Sequence, residues 1–108
     1  MMATFTIFSD ATTTASSSID FSGYLDNRFN RTFQAFGSTT AGAGAATILV
    51  EGSNDNSHWI TLGTISLILG VTVVTDGYSS TNSPWKYIRG RISAISGTGA
   101  KVSLIGSV

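Results

Sequence analysis

The sequence predicts an all-β domain, an antiparallel β-sandwich or flattened barrel of about seven to nine short strands with negligible helix. Three observations carry this. Apolar residues recur at a period of two, the spacing of half-buried strands. The runs are short and separated by Gly, Asn, Asp and Ser. A chain of 108 residues has room for one core and no second domain, so residues 1–108 form one unit. Jelly-roll-like and immunoglobulin-like strand orders both satisfy the pattern.

Taken in order, Thr4 to Phe8 reads as a first strand and Ser17 to Phe21 as a second, with Ile19 and Phe21 on one face. The polar stretch Asp10 to Ala15 links them, so residues 1–16 can act as an N-terminal arm. Tyr24 to Asn30 is turn-rich, with a short helical turn near Asp26 as the rival reading, and Arg31 to Phe36 alternates as a strand. Gly37 to Ala46 is almost wholly Gly, Ala, Ser and Thr, with nothing bulky to anchor it, which predicts a mobile loop. Thr47 to Gly52 and His58 to Leu62 flank Ser53-Asn54-Asp55-Asn56-Ser57 as a β-hairpin. Ile65 to Leu69 and Val71 to Thr75 follow as strands broken by Gly70, and Asp76-Gly77 turns the chain. In the strand Trp85 to Ala94, residues Lys86, Ile88, Gly90, Ile92 and Ala94 take one face, and Trp85, Tyr87, Arg89, Arg91 and Ser93 the other. A last hairpin reaches Lys101 to Ile105 through Ser96-Gly97-Thr98-Gly99-Ala100, whose glycines supply positive φ.

Composition narrows the function. Hydrophobic residues make up 42% of the chain and charged residues only 11%, less than half the roughly 25% of an ordinary soluble domain. Six basic and six acidic residues cancel and form no run. No field draws in nucleic acid or an anionic membrane, so neither is an expected partner. Weak self-repulsion suits a protein whose surface is covered by neighbours. Cysteine is absent, which excludes disulfides and thiolate metal sites. The N-terminus lacks the basic and apolar regions of a secretory signal, and Ile65 to Val74 falls well short of the roughly 20 apolar residues that span a bilayer. Export and membrane insertion are therefore not expected.

Catalytic chemistry is not expected either. A serine nucleophile needs a base and an orienting group, and His58 is the one histidine, in a hairpin loop beside Asp55. There is no Gly-x-Ser-x-Gly elbow. The acids Asp10, Asp20, Asp26, Asp55 and Asp76 look like turn or strand-edge residues rather than a facing carboxylate pair. Asn54-Asp55-Asn56 offers oxygen ligands for Ca²⁺ but lacks the Gly and Glu of an EF-hand loop. Gly37 to Gly44 lacks the Lys-Ser/Thr ending of a phosphate-binding loop. No metal or cofactor is predicted.

Binding residues are easier to find. Trp59, after a turn and before Ile60 and Leu62, reads as an aromatic capping the core, with sugar stacking as the alternative. Trp85 lies beside Tyr87, Arg89 and Arg91 on what reads as an open strand face, the composition of protein interfaces. The segment with Phe5, Ile7 and Phe8 is apolar and tethered by an uncharged linker, so a neighbouring subunit can pair with it; an edge strand packed at home is the alternative.

Two stretches carry a resemblance. Val50-Glu51-Gly52-Ser53-Asn54-Asp55-Asn56-Ser57-His58-Trp59-Ile60-Thr61-Leu62 resembles a "strand, Ser-x-Asp-x-x-x-Trp, strand" hairpin of discoidin-like modules and of small structural proteins of tailed bacteriophages. Tyr87-Ile88-Arg89-Gly90-Arg91 with its Ser-Gly-rich turn and Lys101-Val102-Ser103-Leu104 resembles the closing hairpin of the same phage proteins. The likeness covers residues 46–108. It implies a non-enzymatic virion component assembled in the host cytoplasm: a capsid decoration (cement) protein that binds the major capsid protein, or a tail or neck protein. Family analogy implies a homo-oligomer, with a trimer favoured and an N-terminal arm reaching a neighbour. Discoidin-like modules are longer and carry loop residues with no counterpart here, which weakens the carbohydrate-binding alternative.

Overall fold

In a computed structural model the backbone is described for residues 4–14, 16–20, 31–80 and 85–107, and side chains for 6–14, 32–77 and 85–107. The described residues form eight strands: β1 (Thr4–Ala11), β2 (Ser16–Asp20), β3 (Arg31–Ser38), β4 (Ala41–Ser53), β5 (Ile60–Leu69), β6 (Val74–Ser80), β7 (Tyr87–Thr98) and β8 (Lys101–Ser107). They make two four-stranded sheets, ordered β1-β8-β3-β6 (sheet I) and β2-β7-β4-β5 (sheet II), antiparallel throughout. The predicted all-β antiparallel sandwich is what the chain adopts.

The strand order also separates the two candidate topologies. The chain folds back on itself so that β1 pairs β8, β2 pairs β7, β3 pairs β6 and β4 pairs β5, and these nested pairs fall alternately into the two sheets. That is the order of a jelly roll, two interleaved Greek keys, and not of an immunoglobulin sandwich.

The core lies between the sheets and follows the period of two. On sheet II, Ala46, Ile48 and Val50 of β4, Ile65, Leu67 and Leu69 of β5, and Ile88 and Ile92 of β7 point inward. On sheet I they meet Ile7, Phe33, Ala35, Val102 and Leu104. Gly90 occupies the inward position between Ile88 and Ile92, and Leu104 fills the space its β-carbon would need.

Several local expectations give way. Gly37 to Ala46 is not a mobile loop: it is the end of β3, a turn at Thr39-Thr40 and the start of β4. Its residues are small because the backbones crowd. A β-carbon on Gly37 would lie 2.6 Å from the Lys101 carbonyl oxygen, one on Gly44 would collide with that of Ser96, and Ala35 and Ala46 are buried. The Thr39 and Thr40 amides donate to the carbonyls of Gly70 (2.8 Å) and Thr98 (3.0 Å), so the turn is fastened at both ends.

Ile60–Leu69 is one strand, not two, with a register shift against β4 between Val50 and Glu51. Gly70 does break the chain, but residues 70–73 cross to the other sheet and only Val74 resumes a strand. Asp76-Gly77 runs inside β6 rather than turning the chain, which an edge strand tolerates because one side of its ladder is unpaired. β7 extends to Thr98, so the last turn is tighter than expected, with Gly97 and Gly99 at φ 118 and 62. Lys86 and Ala94, placed on the core face by the alternation, are exposed; the register between β4 and β7 shifts at Thr47/Ile48, breaking the period before Ala94.

Nor is the N-terminal segment a detached arm. β1 pairs along β8 as an edge of its own sheet, Ile7 is in the core and Phe8 packs against it. Tyr24 to Asn30, with the proposed turn at Asp26, lies outside the described residues, as do Phe21 and Pro84.

The close approach at Gly90 generates a prediction. Gly90→Ala should cost about 1–3 kcal/mol by overpacking against Leu104, while Gly70→Ala, with nothing within 4 Å of the added carbon, should change stability by less than about 0.5 kcal/mol. Urea midpoints of the two variants check it.

Candidate functional site

The outward face of sheet II carries the ion-pair cluster of the described residues. On β7 the odd residues Tyr87, Arg89 and Arg91 point away from the core because Ile88, Gly90 and Ile92 point into it. Leu49, Glu51 and Ser53 of β4 stand directly opposite Arg91, Arg89 and Tyr87. One acid therefore sits among two arginines, one straight across and one on the diagonal.

The contacts are close. Arg89 Nε donates to Glu51 Oε1 at 2.7 Å, Arg91 Nε to the same oxygen at 3.2 Å, and Arg91 Nη2 to Oε2 at 3.2 Å. The Glu51 side chain is only 6% exposed, against 23% for Arg89 and 37% for Arg91. Burial pushes the Glu51 carboxyl up, but hydrogen bonds from Arg91 and Arg89, together with their charges, outweigh it and hold the group below its ordinary value. The same hydrogen bond raises Arg91. The Arg89 guanidinium also lies over the Trp59 ring, 4.2 Å from its centroid, a cation–π stack that holds it from a second side.

The hairpin beside this face is built by one carboxylate. Asp55 Oδ1 accepts from the amides of Ser57 (2.9 Å) and His58 (2.8 Å) and from the Ser53 hydroxyl (2.9 Å), and Oδ2 lies 2.8 Å from His58 Nδ1. The His58 amide first, then that of Ser57, then the His58 ring and the Ser53 hydroxyl, hold Asp55 well below the usual carboxylate range. Asn56 takes a left-handed φ of 59, and Asn54 Oδ1 accepts from the Lys86 amide at 3.3 Å, tying the loop to the approach to β7. The Asn-Asp-Asn sequence is thus used for the turn, with the Asp55 oxygens turned to the loop's own donors. Among the described residues no group of three His, Asp or Glu converges as a metal site.

The two tryptophans exchange their expected roles. Trp85 is half-buried and packs on the core over Gly52, where a β-carbon would come within 2.7 Å of the indole, and Leu62 adjoins the same spot. Trp59 stands on the outer face with Arg89. Tyr87 is half-buried, with Lys86 Nζ 5.2 Å from its ring centroid. Of the sequence-predicted residues, Arg89 and Arg91 come together, Tyr87 continues their row and Trp85 turns away from it. Ile7 and Phe8 belong to the chain's own core; Phe5 pairs with Gly106 through the backbone, and its side chain lies outside the described residues.

Glu51 was the residue sequence reasoning missed. Its signal was present: it is the one charged residue between Arg31 and Asp55, inside an apolar strand, and such an acid needs a cation nearby. A shallow groove of about 310 Å³ on sheet I, lined by Thr32, Phe33, Gln34, Ile105, Gly106 and Ser107, contains no titratable side chain.

Comparison with known proteins gives the fold. No protein-family model and no curated protein sequence matches the chain. Among solved structures it is similar to the PBSX exported protein XepA, with a TM-score of 0.61 and 14% identity over 98% of this chain and 36% of that one. It is also similar to a structure described as "CBM4 structure and function", with a TM-score of 0.53 and 11% identity over 98% of this chain and 66% of that one. The chain therefore spans about a third of the first protein and just under two thirds of the second.

The ion-pair cluster makes stability depend on acid. Because the Glu51 pKa is lower folded than unfolded, the unfolded chain binds more protons just below the ordinary value of 4.5. Stability should be flat above that pH and fall as pH drops through the folded value, and Asp55 contributes with the same sign. Glu51→Gln should cost about 1–3 kcal/mol at neutral pH, because the amide keeps one acceptor oxygen but loses the charge and the second acceptor that pair both arginines, and its acid decline should be shallower than that of the parent. Urea denaturation from pH 7 to pH 3 measures both.

Proposed function

We propose that this chain is a non-enzymatic structural component of a phage-type virion, a capsid decoration protein that seats the outer face of sheet II on the major capsid protein lattice. The observation that carries the reading is the Trp59–Arg89–Glu51–Arg91 cluster. Tryptophan and arginine dominate protein interfaces energetically, and here their side chains are fixed before any partner arrives, so little ordering entropy is lost on binding. The likeness of the fold to XepA, a phage-derived protein, supports a phage association. So does the resemblance of residues 46–108 to small phage structural proteins. A tail or neck position uses the same surface and differs only in the partner.

Carbohydrate binding is the second reading, favoured by the likeness to the carbohydrate-binding structure and by an aromatic on the outer face of one sheet. The geometry counts against it. Arg89 covers one face of Trp59, and Trp85 is committed to Gly52 and the core, so a pyranose would find only the remaining face of one indole.

The test is mass spectrometry of purified particles from the genome that encodes the chain, followed by rebinding of purified protein to particles lacking it. The chain should be present in stoichiometric amount. Arg89→Ala and Trp59→Ala, confirmed folded by circular dichroism, should each weaken rebinding about 30-fold, the effect of losing about 2 kcal/mol at a hot spot. Absence from the particle, with binding on a glycan array, would replace this reading by the second.

A further inference from the structure

The two sheets leave four edges: β1 and β6 on sheet I, β2 and β5 on sheet II. Natural sheets discourage pairing at an edge with bulges, shortness, charge or proline. Three of these edges do so. β1 breaks register twice, between Thr6 and Phe8 and between Phe8 and Ala11, with Asp10 at φ 50. β2 is five residues long. β6 carries the exposed carboxylate of Asp76 in mid-strand.

β5 has one register shift, at Leu62 near its start, and beyond it none of these protections. It is ten residues long with no charge and no proline, and from Thr64 to Leu69 it alternates without interruption. Ile65, Leu67 and Leu69 are buried while Thr64, Ser66 and Ile68 are exposed. Among the described residues no strand pairs on its outer side. Among the described residues the exposed large hydrophobic side chains are Ile60, Ile68, Val71 and Val73, at 48%, 83%, 67% and 61%, and all four lie on β5 or in the turn that follows it. Apolar exposure and open backbone thus coincide at one edge.

We propose that β5 is a self-recognition edge, on which a second copy of this chain pairs antiparallel through its own β5 and joins two four-stranded sheets into one of eight. The occupant must be an extended strand of similar length that alternates apolar-in and uncharged-out, and β5 itself meets that description. A two-fold axis at Ser66 keeps every side chain on its proper face. Ser66 then faces Ser66 of the partner subunit, Ile68 faces Thr64 of the partner subunit, and Ile65 faces Leu67 of the partner subunit, so that the core rows run on across the junction. Ile and Thr are both β-branched residues suited to strands, and no like charges meet. The contact is isologous and closes at two copies, which makes the assembly a dimer and not the trimer of the family analogy. It goes beyond the particle-binding reading and leaves the face at Arg89 and Arg91 open.

Sedimentation equilibrium across a concentration series should give twice the 11.3 kDa chain mass. Ile68→Lys and Thr64→Lys alter exposed positions and should each shift the equilibrium to monomer with an unchanged circular dichroism spectrum. Because the chain has no cysteine, Ser66→Cys supplies a second readout: directly opposed residues of an antiparallel pair lie about 4.5–5.5 Å apart at Cα, within reach of a disulfide. Mild oxidation should cross-link Ser66→Cys into a covalent dimer and leave the control Ser93→Cys, on the interior strand β7, as monomer. A parent chain that stays monomeric at millimolar concentration, or a dimer that both lysine variants leave intact, overturns the proposal whatever happens in the particle assay.

Discussion

The close approach of the two sheets over Gly90 is the constraint on which the rest of this molecule depends. Leu104 of β8 enters the space that a β-carbon on β7 would occupy, and Ile88 and Ile92 flank it on the same strand, all fully buried. With no disulfide available, apolar contact of this kind must hold the sheets together. β7 and β8 are consecutive and lie in opposite sheets, so the same contact closes the sandwich across its last turn. That turn is very short, and Gly97 and Gly99 supply the positive φ it requires.

Once β7 is held this way, its other face is determined. The alternation that sends Ile88, Gly90 and Ile92 inward sends Arg89 and Arg91 outward, two residues apart on a flat surface, where their charges need an acid. Glu51 answers from the neighbouring strand, at the register position opposite Arg89. The cluster keeps one net positive charge and little freedom. A general acid or base needs a protonation equilibrium near the working pH, whereas the arginines hold Glu51 below its ordinary value and so keep it charged. The arrangement suits recognition better than proton transfer.

How much of this could be read from the residues depended on whether one pattern had one meaning. Tyr87 to Ile92 alternates unambiguously, and both its faces were legible. The hairpin around Asp55 was legible too, because Asn and Asp in a short polar run have a specific turn chemistry that the hydrogen bonds display. Gly37 to Ala46 is not legible locally because small residues serve two opposite ends. A chain with no bulky side chains is a flexible linker when isolated, and it is the only chain that fits where the Lys101 and Ser96 carbonyls come within contact of its backbone. Nothing local distinguishes the cases; the crowding comes from strands some sixty and fifty residues away in sequence. The roles of the two tryptophans are hidden for a related reason, since which one covers Gly52 depends on a cross-strand meeting of β4 with the approach to β7. The strand order likewise lives in nested long-range pairs and leaves no trace in any short window.

The low charge of the chain ties these features together. Twelve charged residues in all is few for a sandwich with four edges and two outer faces, and three of them are spent on the Glu51 cluster. The edges must then be guarded mainly by backbone geometry, through the bulges of β1 and the shortness of β2. β5 uses a bulge only at Leu62, near its start, and is not short. It pairs with β4 over nearly its full length, and its regular alternation is what supplies Ile65, Leu67 and Leu69 to the core. A bulge in that stretch would turn part of the core row outward, and a charge at an inward position would be buried. The outward positions Thr64, Ser66 and Ile68 carry no such restriction, since a lysine there would cost the fold little. Their freedom from charge is therefore not demanded by the sandwich itself, and its cause has to be sought in what the edge meets.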